Sequence, residues 1–573
     1  MKLGKTLGVL MSCAALLIDP LGLHAQQADS AFGEVLEVRV TNVDVVATDA
    51  KGSPVAGLTR DDFEVFEEGK VQEITNFYEV TGASAASRLQ DGSAQAGPRP
   101  SSSARKFIFY VDNSTLSVRN RNEIFPAVTQ FLAANMAPGD QTMIVAWKGS
   151  LQIRQPWTSD RAAVESTLKA MSTEVAGGAG LLAERQRVDR MLSDLAELSE
   201  PGSNPMGSKP IAVTFEMLEG NVRSHAENVR HDTAQSVGAM TKLLSSLSGV
   251  DGRKVLLMAT ESLPTQAGAS LFESMETIRA RVAMSSTSTM ARSARTSSRV
   301  GDLGKYSVTP MIESLARAAN ATGVTIYAIN PKAYNNQSSG KVELQQPGNV
   351  RMDFADSVQS VDGVTILANW TGGRAMIGAP AALVLENLGR DLSSYYSIGY
   401  RAKPGTSVER KLEVRSKRKG IAIRSRSSIY YRSLQTEVAD RVLANHLQND
   451  LANELGVTLE ADAVTTDGSR KLMPMRVIIP AERLTLLPDS DGNMAGGFSV
   501  FTSTGDSSGA TSGVDIQSHQ LRVPEAQAAQ RTGRNMTFVV QVPMDQDPKQ
   551  ISVGVVDHLS QTQGYATIKL APK

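Results

Sequence analysis

Lys106-Phe-Ile-Phe-Tyr-Val111 is an unbroken apolar run that leads into Asp112-Asn-Ser-Thr-Leu-Ser117. Such a run, followed by a stretch with helical periodicity, predicts a strand buried on both faces of a parallel sheet. Open α/β sheets bind their ligands outside the carboxyl ends of such strands. Asp112 and the hydroxyl groups beside it are hard oxygen donors, which Mg²⁺ and Mn²⁺ prefer. The segment therefore predicts a fold class and a candidate site at the end of one strand.

Strand and helix patterns alternate on both sides of this segment. Further apolar strands are predicted at 142–147, 254–259 and 325–329, and helices at 124–132, 160–171, 181–199, 222–248 and 383–392. This alternation predicts an α/β fold with a doubly wound, mostly parallel sheet and helices on both faces. Pro126 is expected near the start of its helix, because it has no N–H to donate. The predicted domain spans 106–395, with polar, low-complexity insertions at 284–300 and 331–360.

Shorter β patterns flank this domain. Within the segment that follows it, strands at 411–415 and 421–424 are expected to form a hairpin that turns through Lys419-Gly420. The predicted flanking segments are a small amino-terminal β unit at 34–80, a flexible linker at 81–105, a β-hairpin extension at 396–432, and a linker helix with a carboxyl-terminal β-sandwich at 433–573.

The amino terminus has the pattern of an export signal. Lys2 and Lys5 precede an apolar core at 7–18, and a small residue, Ala25, stands at the expected cleavage site. Cys13 is the only cysteine, so the exported chain is expected to lack disulfides. Lipid attachment at Cys13 is the less favoured alternative, because apolar residues continue beyond it. No later apolar stretch is long enough to span a bilayer, so we expect a soluble, periplasmic, envelope-associated or secreted protein.

Composition limits the classes of partner. The 573 residues are ordinary in apolar content, and Lys and Arg balance Asp and Glu to a formal net charge of +0. Neither nucleic acid nor an anionic membrane is therefore predicted as a partner.

Three stretches carry a family resemblance. They are Val43-Asp-Val-Val-Ala-Thr-Asp-Ala-Lys-Gly52 with Gly57-Leu-Thr-Arg-Asp-Asp-Phe-Glu-Val-Phe-Glu-Glu-Gly69, the pair 107–112 and 252–259, and Thr371-Gly-Gly-Arg374 with 391–400 and 429–431. They resemble the von Willebrand factor A (VWA)-related domain proteins of Acidobacteria and relatives. The resemblance implies an exported protein with a central A-domain, whose Rossmann-like doubly wound sheet bears a metal-ion-dependent adhesion site at its top.

That family pattern has Asp-x-Ser-x-Ser after the first strand, a loop Thr, and an Asp after the fourth strand, and a partner's carboxylate completes the ion's coordination. Asp112 and Ser114 match its first two positions, whereas Leu116 takes the third and Ser117 is displaced by one residue. Glu261 stands near the fourth-strand Asp. The resemblance thus implies a degenerate site for Mg²⁺ or Mn²⁺ built from Asp112, Ser114, Ser117 and Glu261. The alternative is that Asp112 and Ser114 only cap the following helix.

Other motifs point to rival chemistries. Ser507 in Gly505-Asp-Ser-Ser-Gly509 matches the formula of a nucleophile elbow but lies in a loop between strands, not in a strand–turn–helix. His225 and His231 are six positions apart on a predicted helix, on separate faces, so we expect surface residues and no shared zinc. Gly177-Gly-Ala-Gly180 lacks the Lys-Ser/Thr of a phosphate loop and favours a flexible hinge.

The sequence therefore predicts a secreted binding or adhesion protein, not an enzyme, with no catalytic residue. Its ligand would be a protein or the extracellular matrix, engaged through an acidic side chain. The alternative is a metal-independent structural or assembly component of the cell envelope or a surface appendage, acting through self-association. A hydrolase that uses Ser507 is the third hypothesis.

Overall fold

The computed structural model describes these residues: 25–27, 40–81, 88–89, 104–175, 177–198, 208–250, 252–285, 304–330, 361–401, 408–446, 451–467, 470–489, 491–506, 511–544 and 548–570. The predicted signal peptide, linker and insertions lie wholly or largely outside these ranges, as does Ser507. Within them, no helix combines the length and the apolar character needed to cross a membrane.

The strands are, in chain order, Ala25–Gln27 (β1), Val40–Thr48 (β2), Phe63–Glu67 (β3), Lys70–Gln72 (β4), Ile74–Thr81 (β5), Arg88–Leu89 (β6), Arg105–Asp112 (β7), Gln141–Trp147 (β8), Leu151–Thr158 (β9), Arg253–Ala259 (β10), Val324–Asn330 (β11), Ala375–Ile377 (β12), Ser394–Arg401 (β13), Val408–Ser416 (β14), Ala422–Arg424 (β15), Ser428–Tyr431 (β16), Thr458–Ala461 (β17), Thr465–Asp467 (β18), Arg470–Pro480 (β19), Leu487–Pro488 (β20), Asn493–Gly505 (β21), Asp515–Pro524 (β22), Asn535–Pro543 (β23), Gln550–Asp557 (β24) and Gln563–Lys569 (β25).

The α-helices are Val118–Asn135 (α1), Arg161–Ser172 (α2), Gly178–Leu198 (α3), Ser208–Ser246 (α4), Ala269–Ser285 (α5), Thr309–Thr322 (α6), Asp362–Trp370 (α7), Ala381–Ser393 (α8), Leu434–Ala444 (α9) and Glu525–Ala528 (α10). The chain divides into two compact units: Leu36–Ser245 with Asp251–Arg432, and Met1–Val35 with Ser246–Val250 and Ser433–Lys573.

A mostly parallel sheet is the centre of the first unit. Among the described residues it has six strands in the order β12-β11-β10-β7-β8-β9, and only β9 runs antiparallel to its neighbour. The inner strands β7, β8 and β10 are buried along almost their whole length, as their apolar runs predict. The fold is therefore mixed α/β with a mostly parallel sheet, as expected.

Helices cover both faces of this sheet. Phe107, Phe109 and Val111 of β7 share one core with α1, α2 and α8. Tyr110 points to the opposite face, where its hydroxyl lies 3.1 Å from that of Ser236 in α4. Because β7 residues alternate between two helical layers, both faces of its interior, 107–111, are apolar.

Two antiparallel sheets in the same unit differ from the sequence prediction. The strands of the predicted amino-terminal unit pair with those of the predicted hairpin extension, in the orders β15-β2-β13-β5-β6 and β16-β14-β3-β4. The two sheets share one apolar core, which makes them a single β-sandwich. The predicted hairpin of 411–415 with 421–424 is wrong, since β14 pairs with β3 and β16 whereas β15 pairs with β2.

The second unit contains a β-sandwich packed beside helix α9. Its sheets have the orders β1-β22-β21-β24-β25, with β20 on β21, and β17-β19-β18, with β23 on β19. Side chains from β19, β21, β23 and β24 meet in one core. A second apolar cluster joins Val438 and Val442 of α9 to Phe501, on the other face of β21.

Two local expectations are corrected. Pro126 lies in the interior of α1, because the helix begins at Val118 and not at the residues just before the proline. His225 is buried, not at the surface, with Nδ1 3.5 Å from Glu184 Oε1. Burial lowers the pKa of His225, and Glu184 opposes that effect.

A buried ion pair fixes the start of β7, and its loss should destabilise the first unit. Asp140 accepts hydrogen bonds from the backbone N (2.7 Å) and Nε (3.0 Å) of Arg105 and from the backbone N of Ala137 (2.8 Å). Asp140→Ala leaves a buried guanidinium unpaired, so we expect the free energy of unfolding to fall by about 3–5 kcal/mol. Urea denaturation measures this. Glu386→Ala, which breaks an exposed pair with Arg390, is the control and should cost far less.

Candidate functional site

The candidate site lies where the parallel sheet changes winding direction. β7 leads through α1 to β8 on one side, whereas β10 pairs with β7 on the other side. In an open sheet this arrangement leaves a crevice at the carboxyl ends of the two central strands. The register sets Ala259 of β10 beside Val111 of β7. The residues that follow, Asp112 and Thr260, therefore leave the sheet side by side.

Asp112 is the centre of a hydrogen-bonded cluster. Its Oδ2 accepts from the hydroxyls of Thr115 (2.8 Å) and Thr260 (3.0 Å). Its Oδ1 accepts from the backbone N of Ser114 (3.1 Å). The two threonine hydroxyls are themselves 2.9 Å apart. The carboxylate is 3% exposed, so these donors take the place of water.

Glu261 occupies the amino terminus of α1. Its Oε1 accepts from the backbone N of Ser117 (2.7 Å) and from the amide Nδ2 of Asn120 (2.9 Å). Ser117 is the N-cap of the helix, and its hydroxyl accepts from the backbone N of Asn120 (3.3 Å). A carboxylate at this position satisfies free N–H groups and interacts favourably with the helix dipole. Thr115 links the two acids, since its Oγ1 also accepts from the backbone N of Glu261 (3.3 Å).

The four predicted ligands are thus neighbours, and protein groups engage both of the carboxylates. Ser114 and Ser117 donate to the carboxylates of Asp112 and Glu261 from their backbone N–H groups. The Ser117 hydroxyl accepts the N-cap hydrogen bond of α1. Leu116, at the third ligand position, is fully buried in the apolar core. Elsewhere in the described ranges, no group of three or more His, Cys, Asp or Glu could hold a metal ion.

The glycine motif, in which the sequence favoured a flexible hinge, lies against the Asp112 loop and forms a third wall of the site. Gly177 donates from its backbone N to the carbonyl oxygen of Asn113 (2.6 Å). A Cβ added to Gly178 would lie 2.3 Å from the carbonyl oxygen of Thr115. Only glycine permits this close approach of two backbones. The motif Gly177–Gly180 contains no hydroxyl, so this wall supplies no loop Thr.

Arg121 anchors the glycine-bearing loop. Its side chain is fully buried, and Nη2 donates to the carbonyl oxygens of Ser172 (2.9 Å) and Glu174 (2.7 Å) at the end of α2. Nη1 lies 3.4 Å from Oδ1 of Asn113. A guanidinium at the carboxyl end of a helix satisfies carbonyls that have no intrahelical partner. Arg121 therefore ties α2, the glycine loop and the Asp112 loop together.

Burial dominates the electrostatics of Asp112. Desolvation raises the pKa of its carboxyl group to about 6, while hydrogen bonds from Thr115, Thr260 and the backbone N–H groups of Ser114 and Thr115 act against that rise. Charged carboxylates are costly to bury, and two hydroxyl donors offset only part of the cost.

Several contributors to the cluster were not predicted from the sequence. Thr115, Thr260, Asn120 and Arg121 match no position that the family resemblance assigned in this sequence, and their roles depend on contacts between segments far apart in the chain. One available signal was positional: Thr260 directly follows an apolar strand, as Asp112 does, and strand ends of a parallel sheet meet at one edge.

Comparisons with known proteins leave the family open. No protein-family model matches the chain, and no curated protein matches it. Among solved structures, it is similar to an aerotolerance-related membrane protein from Bacteroides fragilis carrying multiple mutations to serine, with 8% identity over 50% of this chain and 98% of that chain and a TM-score of 0.21. A similarity at this TM-score identifies neither a fold nor a function for this chain.

The raised pKa of Asp112 gives a prediction with a definite sign. The folded chain holds this proton up to pH about 6, whereas an unfolded aspartate releases it near 3.8. The contribution of Asp112 to the free energy of unfolding should therefore fall as pH rises from about 4 to about 6, by about 3 kcal/mol. Asn cannot ionise, so the stability of Asp112→Asn relative to the unmodified chain should increase over that interval. Urea denaturation from pH 4 to 7 tests this, and a pH-independent difference would contradict it.

Proposed function

We propose that this chain is an exported binding protein of the VWA-related class that engages a protein or matrix ligand at the carboxyl edge of its parallel sheet. The observation that carries the proposal is the polar cluster of Asp112, Thr115, Thr260 and Glu261 at the point where the sheet changes winding direction. Doubly wound folds bind their ligands at this point.

The surroundings of the cluster suit a protein ligand. Val118 and Val175, on two segments that border the cluster, expose 46% and 74% of their surface. Arg119 is exposed in the first turn of α1, where its positive charge attracts an anion. Apolar contacts beside a localised positive charge favour a partner surface that presents an acidic side chain.

Ligand binding at this edge would require no metal ion. Each carboxylate of the cluster is already held by protein donors, and Leu116 packs in the core where the family pattern has a ligand. Mg²⁺ requires nearly ideal octahedral coordination by oxygen, which a set lacking one hydroxyl supplies poorly. Binding would then depend on hydrogen bonds and on Arg119.

Titration with divalent cations tests the metal-free form of the site. We expect Mg²⁺ or Mn²⁺ to leave the melting temperature unchanged relative to sodium at equal ionic strength, because the donors are already engaged. Isothermal calorimetry should register no binding heat. A saturable rise in melting temperature that Asp112→Asn removes would show instead that the four predicted residues hold an ion.

A matched pair of glycine variants tests the binding edge itself. Gly178→Ala places a methyl group against the Thr115 carbonyl and should displace the Asp112 loop, whereas Gly180→Ala meets nothing within 4 Å. We expect binding to immobilised matrix proteins and cell-envelope proteins to fall at least about tenfold for Gly178→Ala only. Biolayer interferometry with and without EDTA measures this, and EDTA should have no effect.

Hydrogen exchange of residues 113–117 shows whether Gly178→Ala has moved the loop. Unchanged binding with a displaced loop would refute a role for this edge. Concentration-dependent sedimentation without any ligand binding would favour the alternative of a self-assembling envelope component.

A further inference from the structure

A second polar cluster lies at the opposite, amino-terminal end of the parallel sheet. Arg253 is the first residue of β10, and its side chain is only 9% exposed. Its Nε lies 3.1 Å from Oδ2 of Asp44 in β2, and its guanidinium lies 3.8 Å from the centre of the Tyr395 ring. The amino end of β10 is therefore joined to the β-sandwich of the same unit through charged groups.

Strand alternation explains why that face of the sandwich is polar. Val43 and Val45 point into the sandwich core, so Asp44 between them points away from it. β15 pairs with β2 so that Arg424 lies opposite Val46, on the same face of β2 as Asp44. Arg426 follows two residues later and lies close enough to Asp44 to interact with its charge. Asp44, Arg424 and Arg426 thus share the face turned away from the sandwich core.

Positive charge exceeds negative charge on this face. Arg424 pairs with Asp391 of α8 at 2.7 Å, and Arg253 pairs with Asp44. Arg426 donates to the carbonyl oxygen of Asn42. It also interacts electrostatically with Asp44, but Arg253 already neutralises that carboxylate. Among the described residues, three arginines are thus matched by two carboxylates, which leaves one positive charge without a carboxylate partner there.

Hydrogen-bond donors also exceed acceptors. In the described part of the chain, no acceptor is in hydrogen-bond geometry with the buried Nη1 of Arg253, Nε of Arg424, Nε of Arg426 or Oη of Tyr327. Tyr327 is fully buried, its hydroxyl oxygen lies close to the guanidinium of Arg424, and it is within electrostatic range of Arg253. Buried donors without acceptors are rare in folded proteins and indicate a missing acceptor.

We propose that this face is a binding site for a small monovalent anion, chloride or an ion of similar size, held by Arg253, Arg424 and the hydroxyl of Tyr327. A single negative charge would balance the excess arginine and accept the hydrogen bonds that have no protein acceptor. The site is separate from the binding edge at the other end of the sheet, so neither proposal depends on the other.

Thermal unfolding of the full chain in different sodium salts tests the site. At constant ionic strength, chloride and bromide should raise the melting temperature in a saturable manner relative to gluconate, which is too large to enter. Tyr327→Phe keeps the ring and removes one donor, so it should raise the half-saturating chloride concentration about tenfold. Tyr110→Phe, which alters a buried tyrosine on the other face of the sheet, is the matched control and should respond as the unmodified chain does.

Anomalous scattering from bromide-soaked crystals locates the ion without any variant. We expect an anomalous peak for bromide between Arg253 and Arg424. Identical melting temperatures in chloride and gluconate would overturn the proposal and assign the unpaired donors to ordered water. An equal chloride response in the two tyrosine variants, with no bromide peak at the site, would overturn it as well.

Discussion

The parallel pairing of β7 with β10 is the constraint on which both ends of the molecule's central sheet depend. Its register aligns Arg253 with Arg105 at one end and Ala259 with Val111 at the other. Because side chains alternate along a strand, a slip of one residue would turn every buried apolar side chain of β10 to the opposite face. The same pairing that buries these runs therefore brings Asp112 beside Thr260 and directs Arg253 towards the β-sandwich. Sites at strand ends need no long loop to assemble them, since the sheet fixes the separation of their residues.

Buried charge is treated differently at the two ends of the sheet. At the carboxyl end, Asp112 is surrounded by hydroxyl and amide donors and keeps a raised pKa, because those donors offset only part of the cost of desolvation. At the amino end, carboxylates partly neutralise the arginines, and several donors have no acceptor among the described residues. The buried guanidinium of Arg121 is stabilised in a third way, because it donates hydrogen bonds to carbonyl oxygens at the end of a helix. The carboxyl end is thus closed by internal hydrogen bonds, whereas the amino end retains unmatched positive charge.

The elements with strong periodicity could be predicted from the sequence, and those that depend on long-range pairing could not. The apolar runs of β7, β8, β10 and β11 and the helical spacing of α1 to α4 define the α/β unit. The segment 411–424 reads locally as a hairpin, yet β14 finds its partner in β3, which lies far away in sequence. Within the site, the proximity of Asp112 and Glu261 follows from the order of strands. The roles of the threonine hydroxyls could not be predicted, because Thr115 and Thr260 meet only across the β7–β10 pairing. The burial of His225 likewise depends on tertiary packing beside Glu184 of another helix, which helical spacing does not reveal.

Leu116 attaches the Asp112 loop to the apolar core of the parallel sheet. The Asp112 loop must be ordered for its carboxylate to be held, and an ion at the third ligand position is one means of ordering such a loop. Here a leucine side chain occupies that position and packs among Phe109, Ile124 and other residues of the main core. Complete burial of a leucine contributes about 1.5–3 kcal/mol, which is enough to hold a short loop when Gly178 and Arg121 constrain its other sides. Apolar packing does not depend on divalent cations, so the burial of Leu116 supports the proposed metal-free binding edge together with the hydrogen bonds of the cluster.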